Sequence, residues 1–346
     1  MTATVTTEDA RRSVAEFVRG RAADLDLGRT DIRADIAEIG GRGLLTGGLG
    51  GSDIREIAGT IERVAAESLA AGFSLWAQRM ALEYVWRAPE PVRERHLDEL
   101  ASGRRVGVTA MAAALKHLAG LGELPLHADA AGSDRVTGPI AWASNVFEDA
   151  LIVFPFRGND GRGHVGVVSA DAEGVGIRPA PELLALCATA STSLTFEHVE
   201  VRGDQLVTAD LRAFCATIRP VFLLLQTAFC TGVADTSVRA AGDRLDGLGA
   251  QFRDEYRALA ERHASARGRL REYTSDAHAT GPADLLRLRL DAARIAVDAT
   301  RLEVTLRGGA GYARHCDTNR RFREAAFLPV QSPSEGQLRW ELSQYD

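Results

Sequence analysis

Leu306-Arg307-Gly308-Gly309-Ala310-Gly311-Tyr312 closes the clearest apolar stripe in the chain and runs on into Ala313-Arg314-His315. The stripe itself, Leu286, Leu290, Ala293, Val297, Thr300 and Val304, alternates spacings of four and three, which predicts a helix with one buried face. Thr300 is its one polar member, and its hydroxyl is able to bond back to the preceding turn. The glycines have two readings. They cap the helix, or they let the backbone approach a ligand and turn N–H groups towards phosphate oxygens. No Gly-Lys-Ser/Thr follows, so the run is not a P-loop, and it is not a strand-to-helix dinucleotide fingerprint either.

Working outward, the chain divides into three parts. Residues 1–103 read as a helical domain, with Ile54, Ile57, Ile61 and Val64 continued by Leu69, Phe73, Trp76, Met80 and Tyr84 as one long stripe. Residues 104–204 read as an antiparallel β domain, with strands at Val106–Thr109, Arg135–Trp142, Leu151–Phe156, His164–Ser169, Val175–Ile177 and Ser193–Val201. Ala110–Leu121 has helical propensity and reads as an insert. Residues 205–346 return to helix, with Phe214, Val221, Leu225 and Phe229 expected in the core.

Composition bounds the function classes. The 346 residues carry 41 Lys+Arg, 47 Asp+Glu and 45% hydrophobic residues, values expected of a soluble globular protein with several folding units. No window holds the roughly 20 apolar residues of a membrane span, the longest candidate being Pro220–Cys230. The modest acidity argues against a general nucleic-acid surface. Cys187, Cys215, Cys230 and Cys316 are widely spaced without a CxxC pair and read as buried free thiols. The opening MTATVTTEDARR has no apolar run, so a cytoplasmic location without nucleic-acid or membrane partners is the expectation. The eight histidines show no metal-ligand spacing, and there is no GxSxG elbow.

The glycine segment, together with Arg320-Arg321-Phe322-Arg323-Glu324-Ala325, resembles the C-terminal signature of the acyl-CoA dehydrogenase family. Val136-Thr137-Gly138-Pro139-Ile140-Ala141-Trp142-Ala143-Ser144-Asn145 resembles that family's central strand, and Ile218-Arg219-Pro220-Val221 the start of its first C-terminal helix. The resemblance implies a mainly α fold with a central β domain: an N-terminal helical domain, a barrel-like middle domain and a C-terminal four-helix bundle. It also implies FAD held between two subunits, in a homo-oligomer (dimer or tetramer) or a hetero-oligomer with a catalytic homologue.

Carried over by position, Thr109, Trp142 and Ser144 would contact the flavin, and Arg244 its pyrophosphate. Thr305 stands where the family has glutamine, and Gly308, Gly309 and Ala310 would pass the dinucleotide of a neighbouring subunit. Arg219 would meet an anionic part of the substrate, an acyl-CoA or other small molecule. Acyl-CoA dehydrogenation also needs a carboxylate to take the α-proton. The two family positions for it hold Ser332 and Ile218. Glu335 is the nearest carboxylate downstream, but Ser332-Pro333-Ser334-Glu335 also reads as a capping box with Ser332 as the cap. Three functions follow: an FAD-dependent oxidoreductase of acyl-CoA type with a displaced base or as a non-catalytic subunit, a flavin-dependent monooxygenase on the same scaffold, and a flavin-free structural partner.

Overall fold

Five helices precede the first strand: α1 (Thr7–Asp26), α2 (Arg33–Gly41), α3 (Arg55–Glu67), α4 (Leu69–Trp86) and α5 (Glu90–Ala101). The computed structural model describes residues 6–130 and 134–345. Ser68 splits what the apolar spacing predicted as one long helix. Its backbone is extended and its hydroxyl accepts from Ala71 N–H at 3.4 Å, so one residue ends α3 and caps α4. Every residue of α4 from Leu69 to Val85 is buried, as expected of a helix packed on all sides.

Eight strands follow, with one helix among them: β1 (Gly107–Thr109), α6 (Ala112–Leu118), β2 (His127–Ala128), β3 (Arg135–Ala143), β4 (Leu151–Arg157), β5 (Gly163–Ser169), β6 (Val175–Ile177), β7 (Thr192–Glu200) and β8 (Leu206–Thr208). They form one sheet in the order β6-β7-β3-β2-β4-β5-β8, with β1 also on β4. The sheet is mixed, which corrects the antiparallel expectation. β1 and β2 both run parallel to β4 along the edge opposite β5. The chain returns to that edge through α6 and β3, and such long connections are what permit parallel pairing. The two-residue β2 is too short to show a period, and β8 extends past the expected boundary at residue 204.

The C-terminal part comprises α7 (Leu211–Gly242), α8 (Arg253–Tyr273), α9 (Pro282–Arg307), α10 (Gly309–Tyr312), α11 (Asp317–Ala325) and α12 (Glu335–Leu342). On α9, Leu286, Leu290, Ala293 and Thr300 of the predicted stripe are buried and Val297 and Val304 are half-buried, and Thr300 donates to Val297 O at 3.0 Å. By length and composition α7 could cross a membrane, contrary to the sequence expectation, but 72% of its apolar window is buried inside the protein. The cysteines also differ from expectation. Cys215 and Cys230 are buried, Cys187 is exposed, and Cys316 is half-buried.

Two ring contacts set α4 against α7. Trp76 meets Phe222 at 4.9 Å between centroids, and Tyr84 meets Phe214 at 5.8 Å. Numbers rise along α4 as they fall along α7, so the helices are antiparallel and the C-terminal end of α4 lies beside the start of α7.

Candidate functional site

Strand alternation alone would place Trp142 on the same face as buried Ile140. The ladder between β3 and β7 slips there: Ile140 pairs with Leu194 and Ala143 with Thr192, three steps against two. The extra residue is a β-bulge, and it leaves both Ala141 and Trp142 outward. Trp142 is consequently 59% exposed, an apolar ring on the sheet's open face instead of in the core.

Asn145 fixes the end of this strand. It is fully buried, has a left-handed backbone (φ 66), and donates through Nδ2 to Ser74 O at 3.0 Å and Gly107 O at 3.3 Å. One amide therefore joins β3, β1 and α4, which brings Trp142 and Ser144 next to the strand that carries Thr109. Asparagine tolerates this backbone region better than most residues, so its identity was a signal of its own. Ser144 opens a hydroxyl chain. Its Oγ lies 2.6 Å from Ser191 Oγ, which lies 2.7 Å from Thr189 Oγ1, which donates to Leu186 O at 2.7 Å. Since the last proton goes to a carbonyl, Ser191 donates to Thr189 and Ser144 to Ser191. Ser144 thus presents lone pairs outward.

Thr109 is half-buried, and its hydroxyl meets Tyr84 Oη at 3.0 Å. Tyr84 gave no sequence signal beyond the apolar stripe of α4. Burial raises the Tyr84 phenol above its ordinary pKa and pushes the nearby Cys215 thiol up to about 12, so both stay neutral. Cys215 lies one turn before Arg219 on α7. Arg219 is ion-paired with Glu341 of α12, whose other oxygen accepts from Gln337 Nε2 at 2.9 Å. Trp340 of α12 donates to Ala119 O at the end of α6 at 3.3 Å. Thr109, Tyr84, Cys215, Arg219 and Glu341 are one connected wall.

Solved structures superimpose on this chain from end to end. The glutaryl-coenzyme A dehydrogenase glutaryl-CoA complex aligns with a TM-score of 0.85 at 15% identity, over 99% of this chain and 96% of that one. The FAD complex of PigA gives 0.83 at 13%, over 100% and 98%. Dibenzothiophene monooxygenase (TdsC) from Paenibacillus sp. A11-2 gives 0.75 at 19%, over 98% and 96%. The chain has the acyl-CoA dehydrogenase fold. Neither family models nor curated proteins gave a match.

Neither position that the resemblance implies for the base holds a carboxylate. Ile218 is 1% exposed in the core. The loop at 331–332 is held by buried Arg289, which donates through Nε to Gln226 Oε1 at 3.0 Å and through Nη2 to Gln331 Oε1 at 2.7 Å. Gln226 and Gln331 both donate to Ser332 O, at 2.9 and 2.7 Å. Ser332 does not cap the next helix, a correction to the sequence reading. Ser334 does, accepting from Gln337 N–H at 3.3 Å, and Glu335 opens α12 as its first residue. Glu335 accepts from Arg294 Nη2 at 2.9 Å and from Arg339 at 2.5 Å, which holds its carboxyl below the usual range. A carboxylate so held is a weak proton acceptor.

The remaining predicted residues lie at the far end of α9. Gly308 (φ 65) is the C-cap of α9, its N–H reaching Val304 O and Thr305 O. Thr305 donates to Arg301 O at 2.8 Å, and Gly308, Gly309 and Ala310 are exposed beside Tyr312. Arg244 is exposed on the turn after α7, which packs through Gly249 against Leu306 of α9. Arg244, Thr305 and the glycines thus share one end of the helical part, while Thr109, Trp142 and Ser144 share the sheet. The exposed aromatic, the outward hydroxyl and the open glycine backbone suit a flavin dinucleotide.

The signature arginines are structural ties. Arg320 donates to Glu67 O at 2.8 Å, Arg321 grips Glu303 at 3.0 and 2.5 Å, and Arg323 grips Asp26 at 2.8 and 2.6 Å. Among the described residues there is no group of three or more His, Cys, Asp or Glu placed to hold a metal.

Proposed function

We propose that the chain is an FAD-dependent oxidoreductase of the acyl-CoA dehydrogenase family, acting on an acyl thioester or a related small molecule. The observation that carries this reading is the bulge that turns Trp142 outward beside Ser144 and the Thr109 strand. Trp142 would pack on the flavin ring, Ser144 would accept from one of its N–H groups, and Arg244 with Gly308–Ala310 would hold the dinucleotide of a second copy. Bound FAD would supply electron transfer that the side chains of this wall do not offer. The chain's own residues would orient the ring and keep Tyr84 and Cys215 protonated.

The state of the carboxylates favours an oxygen-using mode, the monooxygenase reading, over α-proton abstraction. Glu335 and Glu341 are each held by guanidinium groups, and the positions that the resemblance implies for the base hold Ile218 and Ser332. Anaerobic mixing of the yellow protein with acyl-CoAs, beside oxygen uptake with NADH and a flavin reductase, separates the modes. Bleaching by an acyl-CoA without oxygen would reverse the preference, and a protein that takes up no flavin would leave only the structural-partner role.

A further inference from the structure

Trp86 and Arg87 stand at the end of α4, where it meets the start of α7. With Arg93 of α5 and Thr208 of β8 they line an open groove of about 500 Å³. That volume lies in the range of small-molecule sites. The groove uses a different face of α7 from the wall described above. Asp210, Ala213, Phe214 and Thr217 border it at spacings of three and four, whereas Arg219 lies two residues past Thr217, roughly 200° around the helix.

The groove is lined by cations whose charge is not used up in the fold. Arg87 gives Nη2 to Glu83 Oε1 at 2.6 Å, while its Nε is buried without a partner. Glu83 also accepts from Arg79 Nη1 at 2.5 Å. One carboxylate therefore serves two guanidiniums, and a positive charge is left over beside the groove. Among the described residues, the half-buried Arg93 guanidinium has no ion-pair or hydrogen-bond partner. Thr208 Oγ1 accepts from Asp210 N–H at 3.1 Å, which leaves its own proton to donate.

An aromatic ring and a carboxylate complete the lining. Trp86 is 39% exposed. Gly50 (φ 72) packs on the edge of its indole, where a Cβ would stand 1.9 Å from Nε1, so the glycine loop before α3 holds the ring in place. Asp210 Oδ1 caps α7 by accepting from Ala213 N–H at 3.0 Å, and its other oxygen is open to a hydroxyl donor. A carboxylate in a cationic groove repels a bare anion but suits the hydroxyls of a ribose.

We propose that this groove binds a ribonucleoside monophosphate, with the base on Trp86, the phosphate on Arg87, Arg93 and Thr208, and the ribose hydroxyls on Asp210. A phosphate monoester carries about 1.5 to 2 negative charges and three acceptor oxygens, which matches two guanidiniums and a hydroxyl. Stacking on an indole tolerates any base, so the groove selects ring, sugar and phosphate together.

Isothermal titration of the purified full chain with AMP, 2′-deoxy-AMP, adenosine and inorganic phosphate tests this, with FAD in excess so that a flavin site is filled. AMP should bind one to one, 2′-deoxy-AMP more weakly, and adenosine and phosphate each at least about 10-fold more weakly. Arg93→Gln should weaken AMP about 10-fold or more at an unchanged Tm, because Arg93 holds no partner in the fold. Arg93→Lys should fall between, since it keeps the charge without the fork. Trp86→Ala should weaken AMP by about 10-fold as well. No AMP binding under excess FAD would overturn the proposal. So would AMP binding that ignores Arg93 and Trp86, or binding of deoxy-AMP, adenosine or phosphate as tight as that of AMP. Flavin content is read separately by absorbance. A colourless chain that binds AMP through Arg93 and Trp86 counts against the FAD reading alone, and a yellow one without that binding counts against the groove alone.

Discussion

Replacing Asn145 tests the clamp that places the strand proposed to face the flavin. Asn145→Ala removes two hydrogen bonds, to Ser74 O and Gly107 O, from a fully buried amide. At about 0.5–1.5 kcal/mol each, plus the cost of a carbonyl left without its donor, this is about 2–3 kcal/mol. Alanine also has to hold a left-handed backbone at φ 66, which adds about 1 kcal/mol. Asn145→Gly loses the same bonds but meets no such backbone penalty. Urea unfolding should therefore rank wild type above Gly and Gly above Ala, with the Ala variant about 3–4 kcal/mol down and the slope m unchanged. Flavin retention should fall in both variants, because Trp142 and Ser144 lie within three residues of the clamp. Equal stability of the Ala and Gly variants, or a loss under about 1 kcal/mol in both, would refute the reasoning.

Two further outcomes are expected. Burial, aided by Arg105 and Arg95, lowers His96 from 6.5 to about 4, so neutral His96 favours the folded state. Its contribution is fully present above the unfolded pKa and is lost as pH falls from 6.5 through about 4. His96→Gln should therefore flatten the acid loss of the urea midpoint in that window, and parallel profiles would contradict the assignment. Ser191→Ala should free the Ser144 proton now committed to Ser191, so that Ser144 no longer favours a flavin N–H. The flavin midpoint potential should move negative by roughly 20–30 mV, as one hydrogen bond is worth for a two-electron couple. An unchanged or more positive potential would show that the hydroxyl chain does not run as drawn.

The residues that mark the fold were readable because their signals are local. Helical spacing gave α9, and alternation gave six strands to within a residue or two, including the one that carries Ile140 to Ala143. What escaped depends on partners distant in sequence. Nothing near Trp142 shows that β7 runs one residue short and turns the ring outward. Tyr84 looked like one more member of an apolar stripe, and its hydroxyl acquires a role only where α4 meets β1. Arg219 read as a free substrate ligand because its partner, Glu341, lies 122 residues away. Ser332 alone read as the cap of the last helix. The Arg289 network draws Ser332 O into the loop and leaves Ser334 to the helix.

The measurement that bears most directly on the central claim is the visible absorption spectrum of the purified full chain after equilibration with FAD, beside that of Trp142→Ala. The account predicts one tightly bound flavin per chain in the wild type and at least roughly 10-fold weaker retention in the variant, the loss of an aromatic stacking partner. A wild-type chain that stays colourless, or a Trp142→Ala chain that holds FAD equally well, would contradict it.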